Sequence, residues 1–114
     1  MTIFKARFLW AAQAVSGVLL VFLLGLHWVA QHYLSESGLR GYVEVVKYLR
    51  NPWIFALEAA FLVTVSAHAL LGVRAVLVDL NPSPAAQKWL DRALWGIGVL
   101  TVAYGVQLVW GIVN

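Results

Sequence analysis

The chain has 114 residues, of which 62% are hydrophobic and only 11% are charged, with a net charge of +3 and a mean hydropathy of +0.82. A soluble domain is about half apolar and a quarter charged, so this chain cannot cover a folded core with polar surface. The absence of cysteine excludes iron–sulfur ligation, disulfides and thiolate zinc sites within this chain. Any metal must be held by histidine or oxygen ligands.

The charged residues leave three long gaps, and within them only Glu58 carries a formal charge. Each gap exceeds the roughly 20 residues that a helix needs to cross a hydrocarbon core of about 30 Å. In lipid only helices and closed barrels satisfy their own backbone, and the period-two alternation of a barrel is absent. The sequence therefore predicts an all-α integral membrane bundle, one domain over residues 1–114, with transmembrane helices at about 8–33, 53–78 and 93–113.

The first segment comes after Lys5 and Arg7, as the core of a secretory signal would. Its apolar run is too long for a signal core, and no small-residue cleavage site separates it from the next segment of the chain. We therefore expect this segment to remain as a transmembrane helix.

Two connections of different kinds join the helices. Residues 35–50 carry apolar side chains at helical spacing with charges between them, which predicts a short amphipathic helix on the outer surface. Asn51 and Pro52 are expected to end this helix and start the second span. The second connection, residues 81–84, is a turn with two prolines, and residues 88–92 form a polar lead-in to the third span.

Lysine and arginine are distributed unequally between the two ends of the spans. The side of the N-terminus has Lys5, Arg7, Arg74, Lys88 and Arg92, and the other side has Arg40, Lys47 and Arg50. The positive-inside rule therefore predicts a multi-pass protein of the cytoplasmic membrane, with its N-terminus in the cytoplasm.

A histidine at hydrocarbon depth, His68, is the sharpest functional candidate, because ionisable residues there are costly. Small or polar residues lie beyond it on one helical stripe, namely Gly72, Ala75 and Asp79. Such a stripe leaves a slot for a flat macrocycle, with the imidazole as axial ligand to haem iron. The alternative is a hydrogen bond from His68 to another helix, with glycine serving close packing, and the spacing leaves both open.

Two further histidines lie in or near the first span. His27 is placed near the outer leaflet and His68 nearer the cytoplasm, so the two cannot readily share one ligand plane. If each binds haem, two haems are stacked across the membrane and each needs a second ligand from another chain. An interhelical hydrogen bond is the alternative for His27, and His32 is interpreted as a solvated residue close to the interface.

Glu58 in the second span has two interpretations. It either hydrates or pairs with a cation near the outer interface, or it belongs to a proton path linked to quinone chemistry. Four glycines of the third span are interpreted as close-packing positions. They are Gly96, Gly98, Gly105 and Gly111.

The stretch from His68 to Arg74, together with Asp79, reads H-x3-G-x-R-x4-D. It resembles the second-helix signature of the small membrane-anchor subunits of succinate dehydrogenase, respiratory complex II. Asn51-Pro52-Trp53 before that helix and Ser16-Gly17 before His27 are further similarities. Length and layout agree, so the resemblance covers essentially the whole chain.

The resemblance implies an anchor that docks a flavoprotein and an iron–sulfur protein, and that binds b-type haem and quinone together with a second membrane anchor. Succinate oxidation itself would lie on other subunits. We expect membrane lipid as surroundings and no nucleic-acid partner. A related fumarate reductase anchor, or a non-redox assembly or accessory protein, is the alternative function.

The resemblance implies roles residue by residue. His68 would be an axial ligand of the haem nearer the cytoplasm, and His27 matches the ligand in two-haem members, which commonly use menaquinone rather than ubiquinone. Arg74 would pair with a haem propionate or polarise the quinone region, near Asp79. Ser16 is a weaker quinone candidate.

Two positions depart from the family pattern. Leu80 replaces a tyrosine that is frequent after the aspartate, and Ala14 replaces an arginine that is frequent two residues before Ser-Gly. The partner anchor would then supply most of the quinone pocket.

Overall fold

A computed structural model describes residues 3–33 and 41–114, which form four helices. These are α1 (Ile3–Tyr33), α2 (Tyr42–Leu49), α3 (Pro52–Val78) and α4 (Pro84–Val113). Helices α1, α3 and α4 are long and apolar enough to cross a membrane. The predicted all-α bundle of three transmembrane helices with a short additional helix is confirmed.

Proline and a capping side chain start both α3 and α4. The Asn51 side chain accepts a hydrogen bond from the Trp53 backbone N–H at 2.9 Å, and the Ser83 hydroxyl accepts one from the Ala86 N–H at 3.2 Å. These caps satisfy N–H groups that have no partner within the helix. The predicted start of the second span is therefore confirmed to within one residue.

Helix α4 begins at Pro84, so the prediction of its start at residue 93 was wrong. Residues 84–92 are polar enough to resemble a lead-in, yet polarity does not break a helix when a proline sits at its first turn. The break lies before it, where Asn81 takes a positive φ of 58°. Asparagine tolerates this left-handed conformation better than most residues.

Helix α2 covers the second half of the predicted amphipathic segment, and residues 35–40 lie outside the described part of the chain. Its Tyr48 side chain is buried against the bundle, whereas Tyr42 and Val43 are exposed. The buried face therefore centres on a tyrosine with a polar end rather than on valine.

The bundle is built around α3, which packs against α1 on one side and α4 on the other. Between α3 and α4, a Cβ atom at Gly98 would lie 2.8 Å from Leu70, and one at Gly105 would lie 2.6 Å from Leu62. The close-packing interpretation is confirmed at these two glycines. At the other two predicted positions, Gly96 and Gly111, an added Cβ atom would meet nothing within 4 Å.

Polar groups join the helices at both ends of the bundle. At one end Asp91 of α4 contacts Arg74 of α3 and Lys5 of α1. At the other end the Arg50 Nε donates to the Val113 carbonyl at 3.3 Å. Large apolar side chains cover the outside between these ends, as lipid-facing helices require.

Candidate functional site

His68 lies at the contact between α3 and α1. Its Nδ1 atom is 3.0 Å from the hydroxyl of Ser16, which is only 8% exposed. The next residue, Gly17, makes room for the imidazole, because a Cβ atom there would lie 3.3 Å from His68 Cε1. The Ser-Gly pair of α1 thus forms the surface against which the His68 ring rests.

The hydrogen-bond partners of Ser16 favour one tautomer of His68. The Ser16 hydroxyl donates its single proton to the Gln13 carbonyl at 3.0 Å. While that bond is made, the hydroxyl can only accept from His68 Nδ1, because a hydroxyl has one donor and two acceptor lone pairs. In the neutral ring the lone pair then lies on Nε2, which is the form that an iron ligand needs.

Gly72 lies one turn from His68, where the sequence predicts a slot. A Cβ atom at Gly72 would lie 3.3 Å from Gln13 Nε2 of α1, so the glycine lets the two helices approach. Within the described part of the chain, Gln13 Oε1 is buried without a hydrogen-bond partner. The space beside Gly72 is therefore taken up by helix α1 and the Gln13 side chain.

His27 of α1 forms a second group with residues of α3 and α2. Its Nδ1 atom lies 2.7 Å and 2.9 Å from the two carboxylate oxygens of Glu58, and the Tyr48 hydroxyl donates to the same carboxylate at 2.6 Å. The Phe61 ring stacks on the imidazole, with centroids 5.0 Å apart and planes inclined by 19°. A cleft of about 420 Å³ lies beside this group, with Tyr48, Glu58 and Phe61 among its lining residues.

The two histidines lie at different levels along the bundle. His68 is level with Ser16, and His27 is eleven residues further along α1 than Ser16. At 1.5 Å per residue this separates the two levels by about 16 Å. The geometry agrees with the prediction that the two histidines do not share one ligand plane.

Arg74 and Asp79, both expected near cofactors, lie near the end of α3. The Arg74 Nε donates to an Asp91 carboxylate oxygen at 2.6 Å, and its Nη2 lies 3.4 Å from the other. Lys5 lies 3.5 Å from the same aspartate. Asp79 caps α3 and is exposed.

Sequence reasoning missed three residues of these groups. Tyr48 was missed because the segment was interpreted from its apolar side chains at helical spacing, and a tyrosine with a polar end was not counted among them. Asp91 was assigned to a lead-in outside the helix, although aspartate next to arginine within a helical segment was a usable signal. Gln13 had no sequence signal beyond being polar within a long apolar span.

Within residues 3–33 and 41–114, no three His, Asp or Glu side chains cluster in a way that could hold a metal ion. In His68 and His27 alike, Nδ1 lies within hydrogen-bonding distance of an oxygen of the neighbouring helix.

The fold and these groups define a small polytopic membrane anchor with two interhelical histidines at different depths. Residues 4–106 match the family model described as succinate dehydrogenase/fumarate reductase transmembrane subunit. The chain belongs to this family and is a membrane-anchor subunit.

Two relatives support the assignment, and each is described as a succinate dehydrogenase hydrophobic membrane anchor subunit. The one from Thermoplasma acidophilum is 32% identical over 97 residues, which is 85% of this chain and 79% of the relative. The one from Archaeoglobus fulgidus is 32% identical over 103 residues, which is 90% of this chain and 87% of the relative. No solved structure matches.

Proposed function

We propose that this subunit binds two b-type haems, one through His68 and one through His27, each completed by a ligand from a second membrane anchor. One observation carries the proposal. Each imidazole has Nδ1 within hydrogen-bonding distance of an oxygen on the adjacent helix, Ser16 for His68 and Glu58 for His27. A neutral ring that donates from Nδ1 has Nε2 left for iron. Such hydrogen bonds from the second nitrogen are usual for histidine ligands.

Haem b, when bound, supplies an iron that takes up and releases a single electron. The contribution of this chain is to hold the two imidazole rings, to fix their tautomers and to keep water away. Gly17 lets the His68 ring lie against α1, and Phe61 stacks on the His27 ring. This role requires no side chain of the chain to act as a nucleophile.

Membership in the family supports the further proposal that the subunit docks a flavoprotein and an iron–sulfur protein. These soluble subunits would lie on the cytoplasmic side, where the lysine and arginine count places the N-terminus. The end of the bundle that holds Lys5, Arg74 and Asp91 would then face them. Succinate oxidation coupled to quinone reduction is the proposed direction, and fumarate reduction is the alternative that the family also contains.

The quinone site is proposed at the same end of the bundle, between this chain and the second anchor. Asp79 is exposed there, and Arg74 is held by Asp91. Ser16 is better assigned to His68 than to quinone, because its hydroxyl is buried and already makes two hydrogen bonds. Menaquinone is the proposed quinone, and extraction of the purified complex with subsequent chromatography distinguishes it from ubiquinone.

The experiment that tests haem binding is haem quantification in the purified complex, with His68→Ala and His27→Ala as variants. We expect a pyridine-haemochrome signal of two haems per anchor pair, a b-type reduced-minus-oxidised spectrum, and loss of one haem in each variant. His32→Ala is the matched control, because His32 is exposed and contacts Trp28 rather than α3. A complex with no pyridine-haemochrome signal would show that both histidines serve only as interhelical hydrogen-bonding groups.

A further inference from the structure

The environment of His27 includes a chain of polar groups drawn from three helices. Tyr48 comes from α2, Glu58 from α3 and the histidine from α1, and the carboxylate accepts from both neighbours at 2.6 Å and 2.7 Å. The other histidine, His68, has a neutral serine hydroxyl in the equivalent place. The two histidines therefore differ in the charge of the group that holds Nδ1.

We propose that Glu58 and Tyr48 are positioning residues for His27, and that they set the reduction potential of the haem bound there. This inference rests on the proposed function. Glu58 fixes the ring and its tautomer, and Tyr48 fixes the carboxylate. The short helix α2 is thereby coupled to the outer ligand through one hydrogen bond.

The location of Glu58 supports a fixed role. A carboxylate within a transmembrane span is costly unless its oxygens are hydrogen-bonded. The Glu58 side chain is 15% exposed and has a donor on each oxygen, and Tyr48 is only 7% exposed. These contacts give the carboxylate the hydrogen bonds that its position within the span requires.

The orientation of the His27 ring is also constrained. Phe61 stacks on one side of the ring, and the two carboxylate oxygens both lie within hydrogen-bonding distance of Nδ1. The His27 side chain is still 30% exposed, so the ring is accessible from outside the chain. A ring held in this way presents its second nitrogen in one direction only.

The charge of Glu58 predicts the sign of the effect. A carboxylate that accepts from Nδ1–H makes the imidazole a stronger donor to iron, which favours the oxidised metal and lowers the potential. Tyr48 draws charge away from the carboxylate by its hydrogen bond, which weakens that effect. Removing the carboxylate charge and removing the tyrosine hydroxyl should therefore shift the potential in opposite directions.

The test is a spectroscopic redox titration of the purified haem-loaded complex. His27→Ala first identifies the outer component, as the one that it removes. Glu58→Gln should keep the haem and shift this component to higher potential, and Tyr48→Phe should shift it to lower potential. Glu58→Leu, which cannot accept a hydrogen bond, should weaken retention of the outer haem by about 10–100-fold.

Two matched controls lie on α2. Glu44→Gln makes the same charge change at the same end of the bundle, and Tyr42→Phe removes the hydroxyl of an exposed tyrosine. Both should leave the outer potential unchanged. The component assigned to His68 should also stay in place in every variant.

The outcomes separate this inference from the proposed function. If His27→Ala leaves the haem content unchanged, the proposed function is wrong at His27 and the inference fails with it. If His27→Ala removes one haem but Glu58→Gln and Tyr48→Phe leave its potential unmoved, or move it in the same direction, the positioning role alone is refuted. A doubly protonated His27 ring, detected by nitrogen-15 NMR of histidine-labelled protein, would also contradict it, because such a ring is only an ion-pair partner.

Discussion

The hydroxyl of Ser16 on α1 lies 3.0 Å from Nδ1 of His68 on α3, and its own proton is given to the Gln13 carbonyl. While the hydroxyl donates to that carbonyl, it can only accept from the imidazole, so a short polar residue of the first helix favours one tautomer of a histidine on the next transmembrane helix. The direction of the Ser16–His68 hydrogen bond depends on the Gln13 carbonyl, which lies within α1.

Replacing Ser16 by alanine removes the acceptor for His68 Nδ1. We expect haem retention at His68 to weaken by about 10–100-fold, as for other outer partners of ligating histidines. Titration of the haem-depleted complex with haem measures the effect. Thr101→Val is the control, because the Thr101 hydroxyl bonds only within its own helix, to the Ile97 carbonyl. Equal affinity in Ser16→Ala and wild type would show that the serine does not support the ligand.

Gly17→Leu tests the space beside His68. A Cβ atom added at Gly17 would lie 3.3 Å from His68 Cε1, so a leucine must displace the ring. We expect the b-type signal of the haem nearer the cytoplasm to be lost, while the outer one stays. Gly25→Leu on the same helix is the control, since a side chain there meets nothing within 4 Å. A normal spectrum in Gly17→Leu would exclude the proposed ring position.

Asp91→Asn tests the ionic contact that joins α4 to α3. The Arg74 side chain is 11% exposed and that of Asp91 is 25% exposed, so the charge left on arginine is only partly hydrated. We expect the free energy of unfolding to fall by up to about 3 kcal/mol, which is the low end of the range for breaking a buried ion pair. The measurement is thermal unfolding in detergent, monitored by circular dichroism. Asp79→Asn, at an exposed aspartate, should unfold like wild type.

Gly105→Val tests close packing between α3 and α4. A Cβ atom at this position would lie 2.6 Å from the end of the Leu62 side chain, so that side chain or the helix must move. Overpacking of this kind costs about 1–3 kcal/mol. Unfolding in detergent measures it, and Gly111→Val, which faces open space, should cost less. Equal losses in the two variants would contradict the close approach.

Cysteine labelling tests the orientation, because the chain has no cysteine of its own. Leu80→Cys is at the turn between α3 and α4, and Tyr42→Cys is at the start of α2, and both positions are about 75% exposed. With a cytoplasmic N-terminus, an impermeant maleimide added to intact cells should label only Tyr42→Cys. Labelling of Leu80→Cys alone would show that the N-terminus lies outside the cell.

The sequence by itself determined the three transmembrane helices, because charge gaps longer than a bilayer and backbone hydrogen bonding in lipid leave few other structures. It also determined the start of α3, since Asn51 and Pro52 act locally. The start of α4 at Pro84 was harder to predict from the sequence. Residues 84–92 are as polar as a loop, yet their helical propensity is sufficient to form a helix.

Only the tertiary structure decided the partners of the polar residues. Both histidines were identified as candidates from their depth, but the partner of each lies on another helix, 52 residues away for Ser16–His68 and 31 for His27–Glu58. Helical periodicity specifies which residues share a face, and it leaves open which faces meet and at what rotation. The contacts of Glu58 with His27, of Tyr48 with Glu58 and of Asp91 with Arg74 therefore appeared only once the helices were packed.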